Sequence, residues 1–561
     1  MIAEIVHPGL LLIGGGFALS FLRGRARALV ALALPAAAIG LVLAAPEGVL
    51  WRGSWLGLEI APYAVDRLSR LFALIFAIMA FGGTLFALGQ VSRLELPAAF
   101  VYGGAAIGAA LAGDLATLFI FWELMAVGST LVIWSAGTSP AYRASLRYLS
   151  IHLLGGALLF AGIAGHYADT GSVAFARMTL DSAAHWMILA GFLLNAGAPP
   201  LSAWLPDAYP EASWSGTVFL SAFTTKTAVY VLLRGFPGTE LLVWVGLFMV
   251  FYGIVYALLE NDMRRILAYS IVNQVGFMVA GIGIGTQLAL NGAAAHAFTH
   301  IIYKALLLMS AGAVLHATGR RKCSELGGLF RTMPFTTFCG SIGALAISSF
   351  PLTSGFVSKS MISQAAAELH LLPVWLLLAA ASAGVFLHAG IKFPWFVFFQ
   401  KDSGLRPAEP PLGMRLAMGL FAALCIGLGV FFEPLYALLP FPVEYRPYTG
   451  WHVVLQLELL LFSGLAFFVL LPLLRRTLTI TLDTDWFYRY LAPVLVGGVE
   501  TLARMARSAA RDMTGGTAAR LFALLRRLHG ADGVLARTWS TGGMALWVAL
   551  MLAAYLLLYY L

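Results

Sequence analysis

The chain has 561 residues, of which 60% are hydrophobic and 11% charged, with a formal net charge of +9. Ordinary globular domains carry roughly 25% charged residues. Too few polar side chains exist to cover a water-facing surface, and the same apolar richness excludes disorder. The three cysteines, Cys323, Cys339 and Cys425, are far apart and match no C-x-x-C spacing, which rules out a disulfide or metal scaffold. An all-α, multi-pass membrane protein remains.

Apolar runs in chain order lie near 8–22, 28–45, 68–90, 97–112, 115–136, 145–166, 184–204 and 216–234. They continue near 240–259, 266–284, 290–315, 335–362, 371–399, 413–432, 451–474 and 542–561. At ~20 residues per helical crossing this predicts about 16 transmembrane helices. The N-terminus lacks the basic start and small-residue cleavage pattern of a signal peptide; its first run ends in Arg23, Arg25 and Arg27. Basic residues concentrate in alternate loops, including Arg93, Arg143, Arg264, Arg265, Arg320, Arg321, Lys322, Lys401, Arg406, Arg475 and Arg476. The positive-inside rule makes those loops cytoplasmic and turns both termini outward. With no basic patch or motif-bearing soluble domain, nucleic acid is not an expected partner.

Two runs are interrupted by proline at matching places. Ala198-Pro199-Pro200-Leu201-Ser202 breaks the seventh, and Phe350-Pro351-Leu352-Thr353-Ser354-Gly355 breaks the twelfth. The spacing of five spans gives the two segments opposite topological senses. That is the pattern of inverted repeats with discontinuous helices; simple proline kinks are the alternative. The tail differs in character. From 484 to 530, Leu495, Val499, Leu502, Met505 and Ala509 recur at helical spacing, with Arg504, Arg507 and Arg511 on another face. A basic amphipathic helix lies in the interface. It acts either as a plain linker or as a lateral brace on neighbouring subunits, with Gly515-Gly516 as an expected break.

Ionisable side chains within a span are costly and mark transport paths. Glu123 sits mid-run in Phe121-Trp122-Glu123-Leu124-Met125, and Lys226 in Thr224-Thr225-Lys226-Thr227. His296, His300 and Lys304 follow at spacings of four, on one helical face. Histidines so aligned relay protons; the rival reading is haem ligation in a membrane enzyme. Lys359 follows the second break. His388 and Lys392 are further possible members, although Lys392 is placed to snorkel. Asp66 and Arg67 suit an interfacial salt bridge, and Asp262 loop structure.

Six stretches together carry a specific resemblance over about residues 60–400. They are Phe119-Ile120-Phe121-Trp122-Glu123-Leu124-Met125, Trp204-Leu205-Pro206-Asp207-Ala208, the segment from Thr225-Lys226 to Arg234, Arg265-Ile266-Leu267-Ala268-Tyr269-Ser270, the segment from His300 to Lys304-Ala305-Leu306, and the segment from Pro351 to Lys359. The set resembles the antiporter-like, proton-translocating subunits shared by respiratory complex I, Mrp sodium/proton antiporters and membrane-bound hydrogenases. Thr225-Lys226-Thr227 and Ile391-Lys392-Phe393-Pro394 are most similar to the Mrp D-type subunit. A weaker likeness lies in Asp483-Thr484-Asp485-Trp486-Phe487-Tyr488-Arg489. The resemblance implies a first half-channel with Glu123 and Lys226, a connecting axis of His296, His300 and Lys304, and a second half-channel with Lys359. It also implies a lysine shortly before the first break, where this chain has Asn195.

The expected organisation is N-terminal helices over 1–95, half-channel repeats over 96–236 and 237–400, further helices over 401–482, a lateral helix over 483–540 and a final span over 541–561. The expected function is proton or cation/proton translocation within a multisubunit antiporter or redox-driven pump. The alternative is a non-pumping assembly subunit with a degenerate first half-channel. Other antiporter-like and small membrane subunits are the implied partners, with hydrophilic redox subunits in a pump. No cofactor of its own is expected, and the bacterial cytoplasmic membrane is the expected location.

Overall fold

The computed structural model describes residues 2–473, 483–531, 533–535 and 540–560. Arg475, Arg476, the end of the 451–474 run and the 482 boundary lie outside the described residues. The chain forms two units, Met1–Asp485 and Trp486–Leu561.

The first unit begins with α1 (Pro8–Phe21) and α2 (Gly24–Ala44). A hairpin follows, β1 (Gly48–Trp55) and β2 (Leu58–Val65), paired antiparallel with irregular register. Then come α3 (Arg67–Phe86), α4 (Glu95–Leu111), α5 (Leu115–Trp134), α6 (Ser139–Thr170) and α7 (Ala183–Ala196). Short α8 (Gly216–Leu220) precedes α9 (Thr224–Gly235), α10 (Leu241–Leu259), α11 (Met263–Ile284) and α12 (Gln287–Thr318). The unit closes with α13 (Pro334–Ile347), α14 (Ser354–Glu368), α15 (Leu372–Val385), α16 (Leu412–Val430) and α17 (Gly450–Val469). Among the described residues of the chain, twelve helical segments are long and apolar enough to cross a membrane. Four shorter apolar helices of 14 or 17 residues, α1, α4, α7 and α13, accompany them.

Local chemistry sets the helix ends. Asp114 caps α5 by accepting from Thr117 N at 2.7 Å, and its other oxygen takes Ala61 N of β2 at 2.8 Å. Thr138 caps α6, with Pro140 in the first turn, where its missing N–H costs nothing. Asp66 caps α3 and pairs with Arg234 at 2.5 Å rather than with its neighbour Arg67. Asp262 caps α11 and pairs with Arg321 at 2.9 Å. α11 and α12 are enclosed on nearly all sides, as helices that are apolar all round must be. α10 meets α11 at backbone contact: a side chain at Gly253 would strike Tyr269 O at 2.6 Å. Small residues permit this approach in membranes.

Both proline breaks are real. Residues 197–203 and 348–353 are non-helical, and Ser349 and Leu352 adopt left-handed backbone. The eighth run departs from the expectation of one continuous span. It is interrupted at Ser221–Phe223 between α8 and α9, where no proline or glycine marks the sequence. In the thirteenth run, α15 continues into wide π-helical turns at Phe386–Lys392 and Trp395–Phe399. The loop after them is pinned by Asp402, which pairs with Arg406 at 2.7 Å and Arg331 at 3.3 Å. The Arg406 hydrogen bond holds the Asp402 carboxyl well below the usual range.

The second unit contains the 38-residue α18 (Ala492–His529) and α19 (Thr541–Tyr560). α18 runs straight through Gly515-Gly516, correcting the expected break. Two glycines cost only about 2 kcal/mol of propensity, and the turns beyond Thr514 and Thr517 are rich in Ala and Arg, which favour helix.

Candidate functional site

Every ionisable residue singled out in the membrane runs lies inside the first unit. Glu123, midway along α5, is half-buried; its carboxylate fills the space that a side chain at Gly156 of α6 would need. Its Oε1 is buried without a hydrogen-bond partner. Among the described residues no ion pair joins Glu123 to Lys226. Lys226 is fully buried and donates to Ser221 O at 2.6 Å and Thr225 Oγ1 at 3.1 Å. The break at Ser221–Phe223 explains this: an interrupted helix frees a carbonyl, and a buried ammonium satisfies it.

α12 carries the centre of the row. His300 is fully buried with its ring centre 6.2 Å from that of His296, and among the described residues neither of its ring nitrogens has a hydrogen-bond partner. Lys304 donates to Ser270 Oγ of α11 at 2.8 Å. His296 is held from two helices. Its Nε2 faces Gln274 Oε1 of α11 at 3.1 Å, and its Nδ1 faces Ser358 Oγ of α14 at 3.1 Å. Gln274 Oε1 also accepts from Tyr303 at 3.2 Å.

Ser358 precedes Lys359, so the row passes from α12 to the second break. Lys359 is 2% exposed. Its Nζ has no hydrogen-bond partner among the described residues and lies 4.2 Å from the ring centre of Phe277, a favourable place for an ammonium. Lys359 also lines a cavity of about 210 Å³ whose wall mixes Phe356, Trp375 and Trp451 with the polar Ser363, Gln364 and His452. One water needs only ~10–15 Å³ by such a measure, so a water chain fits. His452 closes the lining, with Nε2 3.2 Å from Gln364 Oε1.

The remaining candidates are placed differently. His388 is buried, with Nδ1 2.8 Å from Gly384 O. Lys392 reaches the carbonyls of Ala257, Leu258 and Glu260 at 3.0, 2.6 and 2.6 Å, at the C-terminus of α10. Cations suit helix C-termini, so this ammonium does capping work. Asn195 lies in the last turn of α7 just before the first break, buried, and its Oδ1 has no hydrogen-bond partner among the described residues.

The residues that sequence reasoning missed are the neutral ones: Ser270 holds Lys304, Gln274, Tyr303 and Ser358 surround His296, and His152 of α6 is buried beside the first break. A polar residue one or two turns from a buried charge, as at Ser270-Ile271-Val272-Asn273-Gln274, is the signal that was present. The Asp483 likeness also has a structural counterpart. Asp483 accepts from Tyr252 at 2.7 Å and Tyr269 at 2.5 Å, one residue before Ser270.

The arrangement is a set of buried titratable groups, some of them held by hydroxyls and an amide, with helix breaks nearby. Such a set can hold and pass protons. Residues 112–386 match the family described as NADH:quinone oxidoreductase/Mrp antiporter, transmembrane. The D-type component of the sodium/proton antiporter of Alkalihalophilus pseudofirmus is 33% identical over 57% of this chain and 69% of its own length. The M-type component of the NADH-quinone oxidoreductase of Pseudomonas aeruginosa is 28% identical over 69% of this chain and 81% of its own. A chain of the archaeal membrane-bound sulfane sulfur reductase has a TM-score of 0.72 at 23% identity, covering 99% of this chain and 100% of that one. A chain of the Mrp complex from a Dietzia species has a TM-score of 0.65 at 21% identity, covering 83% and 95%. The likeness to both structures is one of fold.

Proposed function

The chain belongs to the NADH:quinone oxidoreductase/Mrp antiporter transmembrane family, and on that premise we propose that it is a proton- or cation/proton-translocating subunit of a multisubunit membrane complex. The observation that carries this reading is the group Lys226, Lys304, His300, His296 and Lys359, all buried, with Ser270 on Lys304 and Gln274 and Ser358 on His296. Buried charges without function are costly, and a row of them ending at a hydratable cavity has a use in transport.

Glu123 and Lys226 serve one half-channel, α12 the connecting axis, and Lys359 the other half-channel with its cavity. A charge arriving at one member changes the ionisation of the next by direct Coulombic interaction, which is large in a low-dielectric layer. The complex sits in the bacterial cytoplasmic membrane with the chain termini outward. α18 braces neighbouring membrane subunits, and hydrophilic redox subunits join in a redox-driven version.

In inverted vesicles, Glu123→Ala and Lys359→Ala abolish coupled transport while the complex still assembles; normal transport by both sinks the assignment. A second reading, a non-pumping assembly subunit, is favoured by Asn195, whose amide cannot carry a proton. Proton flux that is unchanged by Lys304→Ala in the reconstituted complex would select it.

A further inference from the structure

Glu123 and Lys226 are not in contact, so a proton passing between them crosses the seam where α5, α6 and α7 meet. We propose that His152 of α6 carries it across that seam. This rests on the translocation reading above and adds to it a residue that reading does not use.

Position is the first argument. His152 and Gly156 are four residues apart and share a face of α6, and Gly156 is where the Glu123 carboxylate lies. The Cα of His152 is therefore about 6 Å along the axis from that of Gly156, and the ring leans toward Tyr148, so water must bridge it to the acid. One turn further on, the Tyr148 hydroxyl is 3.2 Å from Thr224 Oγ1, which lies 2.7 Å from the Tyr102 hydroxyl. Thr224 opens α9, two residues before Lys226. The α6 face thus spans from the acid to the helix that bears the amine.

The tautomer is the second argument. His152 Nδ1 lies 2.9 Å from Tyr148 O. A carbonyl only accepts, so Nδ1 carries the hydrogen and Nε2 of the neutral ring keeps a lone pair. Nε2 is buried and has no protein partner among the described residues. The ring is 1% exposed, stacked 3.9 Å from Tyr148 and set edge-on 4.6 Å from Trp204. Packing alone would be served by a phenyl ring, which leaves no polar atom to satisfy. Two more unpartnered buried atoms flank the same seam, Glu123 Oε1 and Asn195 Oδ1. Asn195 follows Leu194, whose carbonyl accepts from Trp204 Nε1 at 3.0 Å. The seam is therefore lined with polar atoms that face no protein donor or acceptor, as a hydrated crossing requires.

The step is a proton transfer through Nε2. The O–H bond of the Glu123 carboxyl breaks as its proton passes to water in the seam, that water gives up a proton to form an N–H bond at Nε2, and a carboxylate and an imidazolium result. The imidazolium then loses that proton from Nε2 toward the Tyr148–Thr224 hydroxyls. Neutral Lys226 gains one at Nζ and becomes ammonium. Nδ1 keeps its hydrogen throughout, so one nitrogen both receives and releases.

The test measures proton flux per assembled complex in inverted vesicles, in H2O and in D2O. His152→Gln keeps size and polarity but removes titration. Flux is expected to fall on the order of a hundredfold, as for loss of a positioned acid–base side chain, and the H2O/D2O ratio to rise because proton transfer becomes limiting. Unchanged flux overturns the proposal, and so does a fall with an unchanged isotope ratio, which marks a structural lesion. Should that variant not assemble, Tyr148→Phe decides: it keeps both stacked rings and removes only the hydroxyl. Slowed flux with a raised isotope ratio upholds the relay, and normal flux overturns it. Lys359→Ala in the same assay separates the two levels. If it transports normally, the whole charge-row reading fails; if it is silent while His152→Gln is normal, only the relay falls.

Discussion

Lys304 donates to Ser270 Oγ at 2.8 Å, across the interface between the two helices that the rest of the bundle encloses. Its other protein acceptor among the described residues is Leu267 O at 3.5 Å. A hydrogen bond to a charged group is worth about 1.5–3 kcal/mol. Ser270→Ala is therefore expected to slow transport by roughly 10- to 150-fold, and Ser270→Thr to restore most of it. Proton flux in reconstituted vesicles reads both. An alanine variant with full flux would show that this bond does not hold the lysine in its working position.

The cavity beside Lys359 makes a labelling prediction. Cys323, Cys339 and Cys425 are all buried, so the native chain gives little background. Ser363→Cys places a thiol in the cavity lining, and a membrane-impermeant thiol reagent is expected to modify it from one side of the membrane. No modification from either side would mean that the cavity is closed to water.

Asp483 ties the segment after α17 to the bundle through two tyrosine hydroxyls. Asp483→Asn removes the charge from both hydrogen bonds, at roughly 1.5–3 kcal/mol each. Hydrogen exchange in α10 and α11 is expected to speed up, and the melting temperature to fall by a few degrees. Because Tyr269 adjoins Ser270, flux is expected to fall with it; unaltered exchange in α11 would disconnect the two.

Asp402 carries the pH prediction. Its carboxyl is depressed in the folded state, first by the Arg406 hydrogen bond and then by Gly404 N. The unfolded value is near 3.9. A depressed folded value contributes stability that is present above the unfolded value and lost as pH falls through the folded one. Melting curves of the native chain and Asp402→Asn should therefore differ at pH 7 and converge only well below about pH 4. The residue is exposed, so the gap is small and shrinks with added salt. Convergence already at pH 6 would remove Asp402 as its source.

The charged members of the row were legible in the sequence because each interrupts an apolar run. Their order was legible because His296, His300 and Lys304 share the helical period. The proline breaks at 199–200 and 351 announced themselves. The break at Ser221–Phe223 did not, because Ser-Ala-Phe suits a helix as well as a bend; the carbonyl it frees is taken by Lys226. Ser270, Gln274, Ser358 and His152 were equally silent: a hydroxyl, amide or imidazole in an apolar run is common, and only the neighbouring helix shows what it touches. The hairpin at 48–65 lies between apolar runs, outside every expected span, although Leu56-Gly57 separates two short β-rich stretches.

The wide turn at Phe386–Lys392 holds one more residue per hydrogen-bonded ring than an α-helix does. Returning it to ordinary pitch would rotate Lys392 by about 100° around the axis and lift its ammonium off the end of α10. Lys392 is thus a pin: while it stays seated on three carbonyls, the surplus residue cannot slip out, and His388 keeps its azimuth.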